Sequence, residues 1–377
     1  MVAWQEFLKG KRGKKDVQEF GFNLMDNILS LHGELASQRY RHGGYYQFRI
    51  ADPKPRIIHK AEVRDRLVHH AIHRLLYPFF DKTFFADSFS CRIKKGTHRA
   101  LNRFRAIAYK VSKNHTKTCW VLKCDIKKFF DSINHQILLK ILKAYIPDQK
   151  IIWLLENVIS SFSTKPGFGL PLGNLTSQLF ANVYMNQFDQ FVKHKLKARH
   201  YVRYADDFVF LSPDKERLVE IIPKIQDFLE ENLKLFIHKD KLFLKTLVSG
   251  VDFLGWVHFP DHRVIRFVTK WKMFRRLKEN PNEQSRQSYL GMLGHGNANK
   301  IKARLNLLLP STEVPIFRSD WFEEHLGGGW AWFVRLYNRT NNRRERRKLF
   351  RRRKVILFPR SCLAERCRVF CNQKPLR

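Results

Sequence analysis

The chain has 377 residues, 44% of them hydrophobic, and carries 71 Lys plus Arg against 34 Asp plus Glu, a formal net charge of +37. This hydrophobic content excludes a disordered chain, and the length allows a substantial core and about two or three domains. The cationic excess points to a polyanionic partner, because each phosphate neutralised releases a condensed counterion.

A membrane partner is not expected. Apolar runs such as Ile151 to Leu155 are short, and no signal peptide or lipidation motif is present, so a cytoplasmic location is expected. Cys91, Cys119, Cys124, Cys362, Cys367 and Cys371 show no C-x-x-C spacing, which favours reduced thiols over a structural zinc.

To about Arg41 the chain is basic with a helical apolar pattern, Phe20, Leu24, Ile28 and Leu31. A turn-rich stretch with Gly43, Gly44, Pro53 and Pro55 follows, then an amphipathic helix predicted over Ala61 to Phe80. That helix carries His69, His70 and His73, which lack an acidic partner to complete a metal site. Cys119 to Asp125 (CWVLKCD) predicts a buried strand, Phe129 to Leu142 a helix, and Leu175 to Leu196 a long helix. Tyr201 to Arg203 and Phe208 to Leu211 predict two strands around a tight turn, Tyr204-Ala205-Asp206-Asp207. Leu218 to Glu231 is helical in pattern, and Val251 to Phe259 reads as a hairpin strand. The order suits an α+β fold, a split β-α-β palm whose antiparallel sheet carries helices on one face. After about Phe267 the pattern turns helical and basic, and Asn341 to Lys354 (NNRRERRKLFRRRK) is dense enough in cations to favour nucleic-acid contact.

Asp125 ends a buried strand, and Asp206 with Asp207 occupies a hairpin turn within YVRYADDFVF. Carboxylates on rigid elements facing one point can hold two divalent ions about 4 Å apart, which activate an attacking hydroxyl and stabilise a leaving oxygen. Adjacent strand residues point to opposite faces, so Asp206 and Asp207 cannot contribute equally.

The YADD at Tyr204 to Asp207 resembles the Y-x-D-D box of reverse transcriptases, and other boxes occur in the family's order. RIIHKAEVRDRLVHHAI (Arg56 to Ile72) resembles the fingers motif, and DSFSCRIKKGTHRAL (Asp87 to Leu101) the box that follows it. LKCDIKKFFDSI (Leu122 to Ile133) is similar to the box of the first metal aspartate, and GLPLGNLTSQLFANVYM (Gly169 to Met185) to the template and nucleotide box. LKLFIHKDK (Leu233 to Lys241) and VDFLGW (Val251 to Trp256) resemble the motif-D lysine region and the primer grip.

The resemblance implies a right-hand polymerase with an N-terminal basic helical extension (1–50), fingers and palm (51–264), a helical thumb (265–340) and a basic tail (341–377). It implies two Mg2+ ions, with Mn2+ as a substitute, on Asp125 and Asp206 with Asp207 beside them. Lys54 and Arg56 would hold the triphosphate, and Lys241, or Lys239 near it, would protonate pyrophosphate. Phe130, or its neighbour Phe129, would be the steric gate under the sugar, and Gly173 would let backbone approach the nucleotide.

Within the family, Leu172 before Gly173 and Ser177-Gln178 after it depart from the Q-G-x-x-x-S-P of group II intron and retron enzymes. They resemble the reverse transcriptases of diversity-generating retroelements, as do a short N-terminal extension and no nuclease in the sequence. That family implies copying of a template RNA into cDNA with errors at adenines, alongside a small basic oligomeric accessory variability protein. An intron maturase-like or antiviral enzyme, and a non-catalytic RNA-binding protein on the same fold, are the alternatives.

Overall fold

The computed structural model describes residues 1–51 and 55–308. Three helices open the chain: α1 (Val2–Phe7), α2 (Lys15–Phe22) and α3 (Leu24–Ala36). Leu31 is buried, and Phe20, Leu24 and Ile28 pack half-buried beside it, as their spacing predicts. The turn-rich stretch proves to be a hairpin, β1 (Tyr45–Ile50) paired antiparallel with β2 (Arg56–Ala61). The predicted helix therefore starts two residues later than its pattern suggests, because Ala61 closes β2 and α4 spans Val63–Thr83.

Helix α5 (Thr97–Val111) leads into β3 (Trp120–Asp125), whose apolar run is buried on both faces. The single helix expected over Phe129 to Leu142 is instead two, α6 (Phe129–Ser132) and α7 (His135–Tyr145). Ile133 is extended between them, and the Asn134 side chain accepts from the Ile137 amide at 2.9 Å, so a local cap starts a new helix. Helix α8 (Gln149–Ser160) follows, then α9 (Leu175–His194). Thirteen of the twenty residues of α9 are buried, which marks it as a core helix.

Strands β4 (Tyr201–Tyr204) and β5 (Asp207–Ser212) form the expected hairpin, followed by α10 (Lys215–Leu233) and β6 (Phe243–Thr246). They complete a four-stranded antiparallel sheet in the order β4-β5-β3-β6. Residues of one face, Leu122, Cys124, Phe208 and Phe210, share a core with Tyr184 and Phe188 of α9 and with Ile225 and Leu229 of α10. Lys123 points to the opposite face. There its ammonium donates to the Asp252 carbonyl, at 2.9 Å, in a second, three-stranded sheet. That sheet is β7 (Val251–Phe253), β8 (Trp256–His258) and β9 (Arg263–Ile265), a meander where the sequence suggested one strand.

Helices α11 (Phe267–Glu279), α12 (Glu283–Leu293) and α13 (Asn299–Leu308) end the described part. The remaining predicted thumb, the tail at 341–377, Lys54, and Cys362, Cys367 and Cys371 lie outside the described residues. Residues 1–302 form one compact unit, and the two-, four- and three-stranded sheets all lie in it. Among the described residues, no helix is long and apolar enough to cross a membrane.

Candidate active site

The site is built at one end of the four-stranded sheet, where β3 stops beside the β4–β5 turn. Asp125 and Asp207 are direct cross-strand partners, so their side chains leave the sheet on the same face. Asp206 sits in the turn itself, and its carbonyl accepts from the Ile126 amide at 3.3 Å, which ties the turn to β3. The turn is tight enough to hold Ala205 at φ 55, in the left-handed region that L-residues enter at a cost.

A buried ion pair braces that turn from beneath. Arg203 and Asp189 are both fully buried, with Arg203 Nε 2.8 Å from Asp189 Oδ1 and Nη2 2.6 Å from Oδ2. The Tyr201 hydroxyl donates to the same carboxylate at 2.9 Å. The remaining arm, Arg203 Nη1, donates to the Ala205 carbonyl at 3.1 Å. Helix α9 thus acts through Arg203, on the sheet face it packs against, to hold the strained residue beside the two aspartates.

The three carboxylates are not equivalent. Lys241 Nζ donates to Asp125 Oδ1 at 2.6 Å, whereas exposed Lys239 makes no such contact with Asp125. Lys123, anchored on β7, lies 3.3 Å from Asp207 Oδ2. Asp206 has no ion pair of its own among the described residues. Burial and the nearby Asp125 push the Asp206 carboxyl up, while Lys241 and Arg56 pull it down. Arg56 is exposed on β2, so the β1–β2 hairpin extends positive charge toward the aspartate end of the sheet. Burial raises Asp207 to about 7, against the pull of Lys123, and its Oδ1 is a buried oxygen with no hydrogen-bond partner.

Among the described residues, no group of three or more His, Cys, Asp or Glu side chains forms a protein-only metal cage. The arrangement nevertheless fits Mg2+, which is commonly held by one or two carboxylates while substrate phosphates and water complete the shell. Crowded, desolvated carboxylates with one unsatisfied oxygen are what a divalent cation would relieve. His69, His70 and His73 do not converge. His69 bonds Thr176 and His42, His73 stacks on Tyr77, and His70 faces Glu6.

Phe129 is buried in the core, which leaves half-buried Phe130 as the ring with an accessible side. The Phe130 carbonyl accepts from the Leu170 amide at 2.8 Å, so the nucleotide box starts directly against it. Leu172 is half-buried, and its carbonyl accepts from the His59 amide of β2 at 2.8 Å. Gly173 adopts φ 117, and a Cβ there would lie 2.7 Å from Ile58 Cγ2. Glycine is therefore required here by the close approach of β2. Gln178 is exposed on α9.

Lys123, Arg203, Asp189 and the His42–His69–Thr176 chain were not singled out in the sequence. A signal existed for the first two. Lys123 is the one charge within β3 ahead of Asp125 and Arg203 the one charge in β4, and a buried charge demands a partner. His69 Nδ1 lies 2.6 Å from Thr176 Oγ1, and its Nε2 lies 3.0 Å from His42 Nε2. This chain ties α4 to the first turn of α9, and only the tertiary contact reveals it.

Residues 51–258 match the reverse transcriptase (RNA-dependent DNA polymerase) family, over half of the chain, and the chain belongs to that family. Its fold is accordingly the right-hand polymerase fold, with the four-stranded sheet as palm. Protein YkfC of Escherichia coli strain K12 is 27% identical over 263 residues, 59% of this chain and 67% of that protein. The group II intron-encoded protein LtrA of Lactococcus lactis subsp. cremoris is 24% identical over 273 residues, 54% of this chain and 44% of that protein. The putative COX1/OXI3 intron 1 protein of Saccharomyces cerevisiae is 25% identical, covering 78% of this chain but 34% of its own length. The chain thus spans about a third to two thirds of these curated relatives. Among solved structures, an apo telomerase of Candida tropicalis, truncated from its C-terminal domain, aligns with a TM-score of 0.45 and 13% identity. That alignment covers 64% of this chain and 60% of that one.

Proposed function

We propose that this chain is an RNA-directed DNA polymerase, with Asp125 and Asp206 holding two Mg2+ ions, or Mn2+ in their place, and Asp207 supporting them. The observation that carries this reading is the meeting of three aspartates at one sheet end, with Lys241 and Arg56 in electrostatic reach. When bound, the ions supply Lewis-acid activation of a primer 3′-hydroxyl and charge stabilisation at the α-phosphate. Arg56, with Lys54, binds the triphosphate, and Lys241 gives a proton to the departing pyrophosphate. Primer extension on an RNA template with deoxynucleotides and Mg2+ tests the reading directly. Full-length cDNA is expected, and none with any primer would overturn it.

Phe130 excludes the ribose 2′-hydroxyl in this reading. Phe130→Ala should raise ribonucleotide incorporation about tenfold or more, since one group's worth of steric discrimination is roughly 1–3 kcal/mol. Competition between matched deoxy- and ribonucleotides at one template position measures it. Unchanged discrimination would move the gate elsewhere.

We further propose the reverse transcriptase of a diversity-generating retroelement, copying its template RNA with errors at adenines beside a small basic oligomeric accessory variability protein. Leu172-Gly173 and Ser177-Gln178 support this. A Gln before the glycine could hydrogen-bond the nucleotide, and Leu offers only packing. The missing bond is worth about 0.5–1.5 kcal/mol, at most roughly tenfold in selectivity. Leu172→Gln should therefore lower misincorporation opposite template adenines by up to about tenfold without a large fall in synthesis. Sequenced cDNA from both enzymes on one four-base template decides it, and equal adenine error rates remove Leu172 from the mechanism. The intron-encoded relatives favour a second reading, an intron-associated enzyme. A neighbouring near-repeat pair differing at adenines would separate the two.

A further inference from the structure

At the end of the palm sheet away from the aspartates lies a cavity of about 530 Å3, between the α9–β4 connection, the end of β5 and the start of α10. Ser212 on its wall is five residues along β5 from Asp207, roughly 17 Å at strand spacing, so the cavity is separate from the candidate active site. Its volume lies within the range of small-ligand sites, about 300–1,000 Å3. Apolar side chains, among them Leu218 and Ile221, form part of the wall. Four lining residues are basic, Lys197, Arg199, His200 and Arg217, and none is acidic.

These cations are not balanced locally. Lys197, Arg199 and Arg217 have no carboxylate partner among the described residues, and nearby Arg103 is already held by Asp87 at 2.8 Å. Of the acidic residues that flank the lining in sequence, Asp214 is committed to capping α10, where it accepts from the Arg217 amide at 3.2 Å, and exposed Glu216 and Glu220 pair with none of these cations among the described residues. Burial lowers the His200 imidazole, and Lys110, Arg103, Arg199 and Arg217 push it the same way, which marks a region of positive potential.

The backbone adds an independent observation. Helix α9 terminates with the Leu196 amide on the Phe191 carbonyl and the Ala198 amide on the Val192 carbonyl, both 3.1 Å. Between them Lys197 adopts φ 50, the left-handed position that glycine fills without strain at helix ends. The two bonds fix the Lys197 backbone in the cavity wall.

We propose that this cavity is a second nucleic-acid site, which takes one unpaired nucleotide of a single strand. The base enters against the apolar wall and stacks on His200 or an arginine plane, and the flanking phosphates meet Lys197, Arg199 and Arg217. Imidazole and guanidinium planes both serve as stacking surfaces for unpaired bases. The site goes beyond the polymerase reading and does not depend on it, since none of its residues touches the aspartates.

Photocrosslinking tests it, with the full chain and a uridine decamer carrying one 4-thiouridine. Mass spectrometry should map crosslinks to residues 196–221, and Asp206→Asn should leave their yield unchanged. The triple variant Lys197→Gly, Arg199→Gln, Arg217→Gln should lower the yield at these residues about tenfold. It should also reduce the salt-dependence slope of decamer binding by about 2, at roughly 0.7 for each phosphate no longer neutralised. Lys197→Gly alone should melt no lower than the parent chain while still weakening crosslinking, which separates impaired binding from impaired folding. An abasic decamer of equal charge should compete poorly. Crosslinks confined to other residues, or a triple variant with full yield, would overturn the proposal. Equal competition by the abasic strand would reduce the site to phosphate binding and overturn the base pocket. Displacement of the decamer by a glutamate decamer at equal charge would assign the cavity to an acidic peptide and overturn it as well.

Discussion

Asp206→Asn is expected to abolish DNA synthesis while leaving the chain folded and RNA binding intact. Among the described residues this carboxylate is the one of the three without an ion pair of its own, and Asp125 repels it. Removing a negative ligand weakens metal binding, and a loss of about 4 kcal/mol in transition-state stabilisation is roughly a thousandfold in rate. The stability effect has the opposite sign. The folded state raises the Asp206 carboxyl above its unfolded value, so its ionised form destabilises the fold at neutral pH, and that penalty fades as pH falls and the group protonates. Asn carries no such charge, so the variant should melt at or above the parent temperature near pH 7. Primer extension, filter binding and thermal denaturation on one preparation measure all three outcomes. Retained polymerisation would sink the two-metal assignment, and a lower melting temperature would sink the electrostatic account of the turn.

The chemistry of this site was easier to read from sequence than its support. Asp125 and the Asp206-Asp207 turn stand out because each is an acidic interruption at the end of an apolar run, and strand periodicity then aims them. Their cross-strand registry, Asp125 opposite Asp207, needs the pairing of β3 with β5, which no local pattern specifies. The β1–β2 hairpin was hidden by Gly43, Gly44, Pro53 and Pro55, whose turn chemistry outweighs six residues of strand on either side. The break between α6 and α7 was hidden for the reverse reason. Phe129 to Leu142 is apolar at helical spacing, and only the Asn134 cap and the Gly169 amide on the Ile133 carbonyl, 2.9 Å, stop it. Gly173 was legible as a glycine that matters, but its close neighbour, Ile58, lies over a hundred residues earlier in the chain.

Asp189→Asn is expected to cost more stability than any substitution at the aspartate turn. Asp189 is fully buried and accepts three hydrogen bonds, two from Arg203 and one from the Tyr201 hydroxyl. Burial would lower the Arg203 pKa, yet Asp189 more than reverses this, and the guanidinium stays charged in the core. Neutralising Asp189 leaves that cation uncompensated, and breaking a buried pair from one side costs about 3–5 kcal/mol. For a unit of this size that is a fall on the order of 10 °C in melting temperature. Replacing both partners, Asp189→Leu with Arg203→Met, should restore much of the loss, because apolar residues of similar volume need no counter-charge. The double variant still lacks the bond from Arg203 Nη1 to the Ala205 carbonyl, which holds the turn in its left-handed conformation. It should therefore fold but extend primers more slowly than the parent chain. Thermal denaturation and single-nucleotide extension rates separate these effects. If Asp189→Asn melts within about 3 °C of the parent, roughly 1 kcal/mol, the pair is not what holds the hairpin. If the double variant is both stable and fully active, the Arg203 bond to Ala205 plays no part in positioning Asp206.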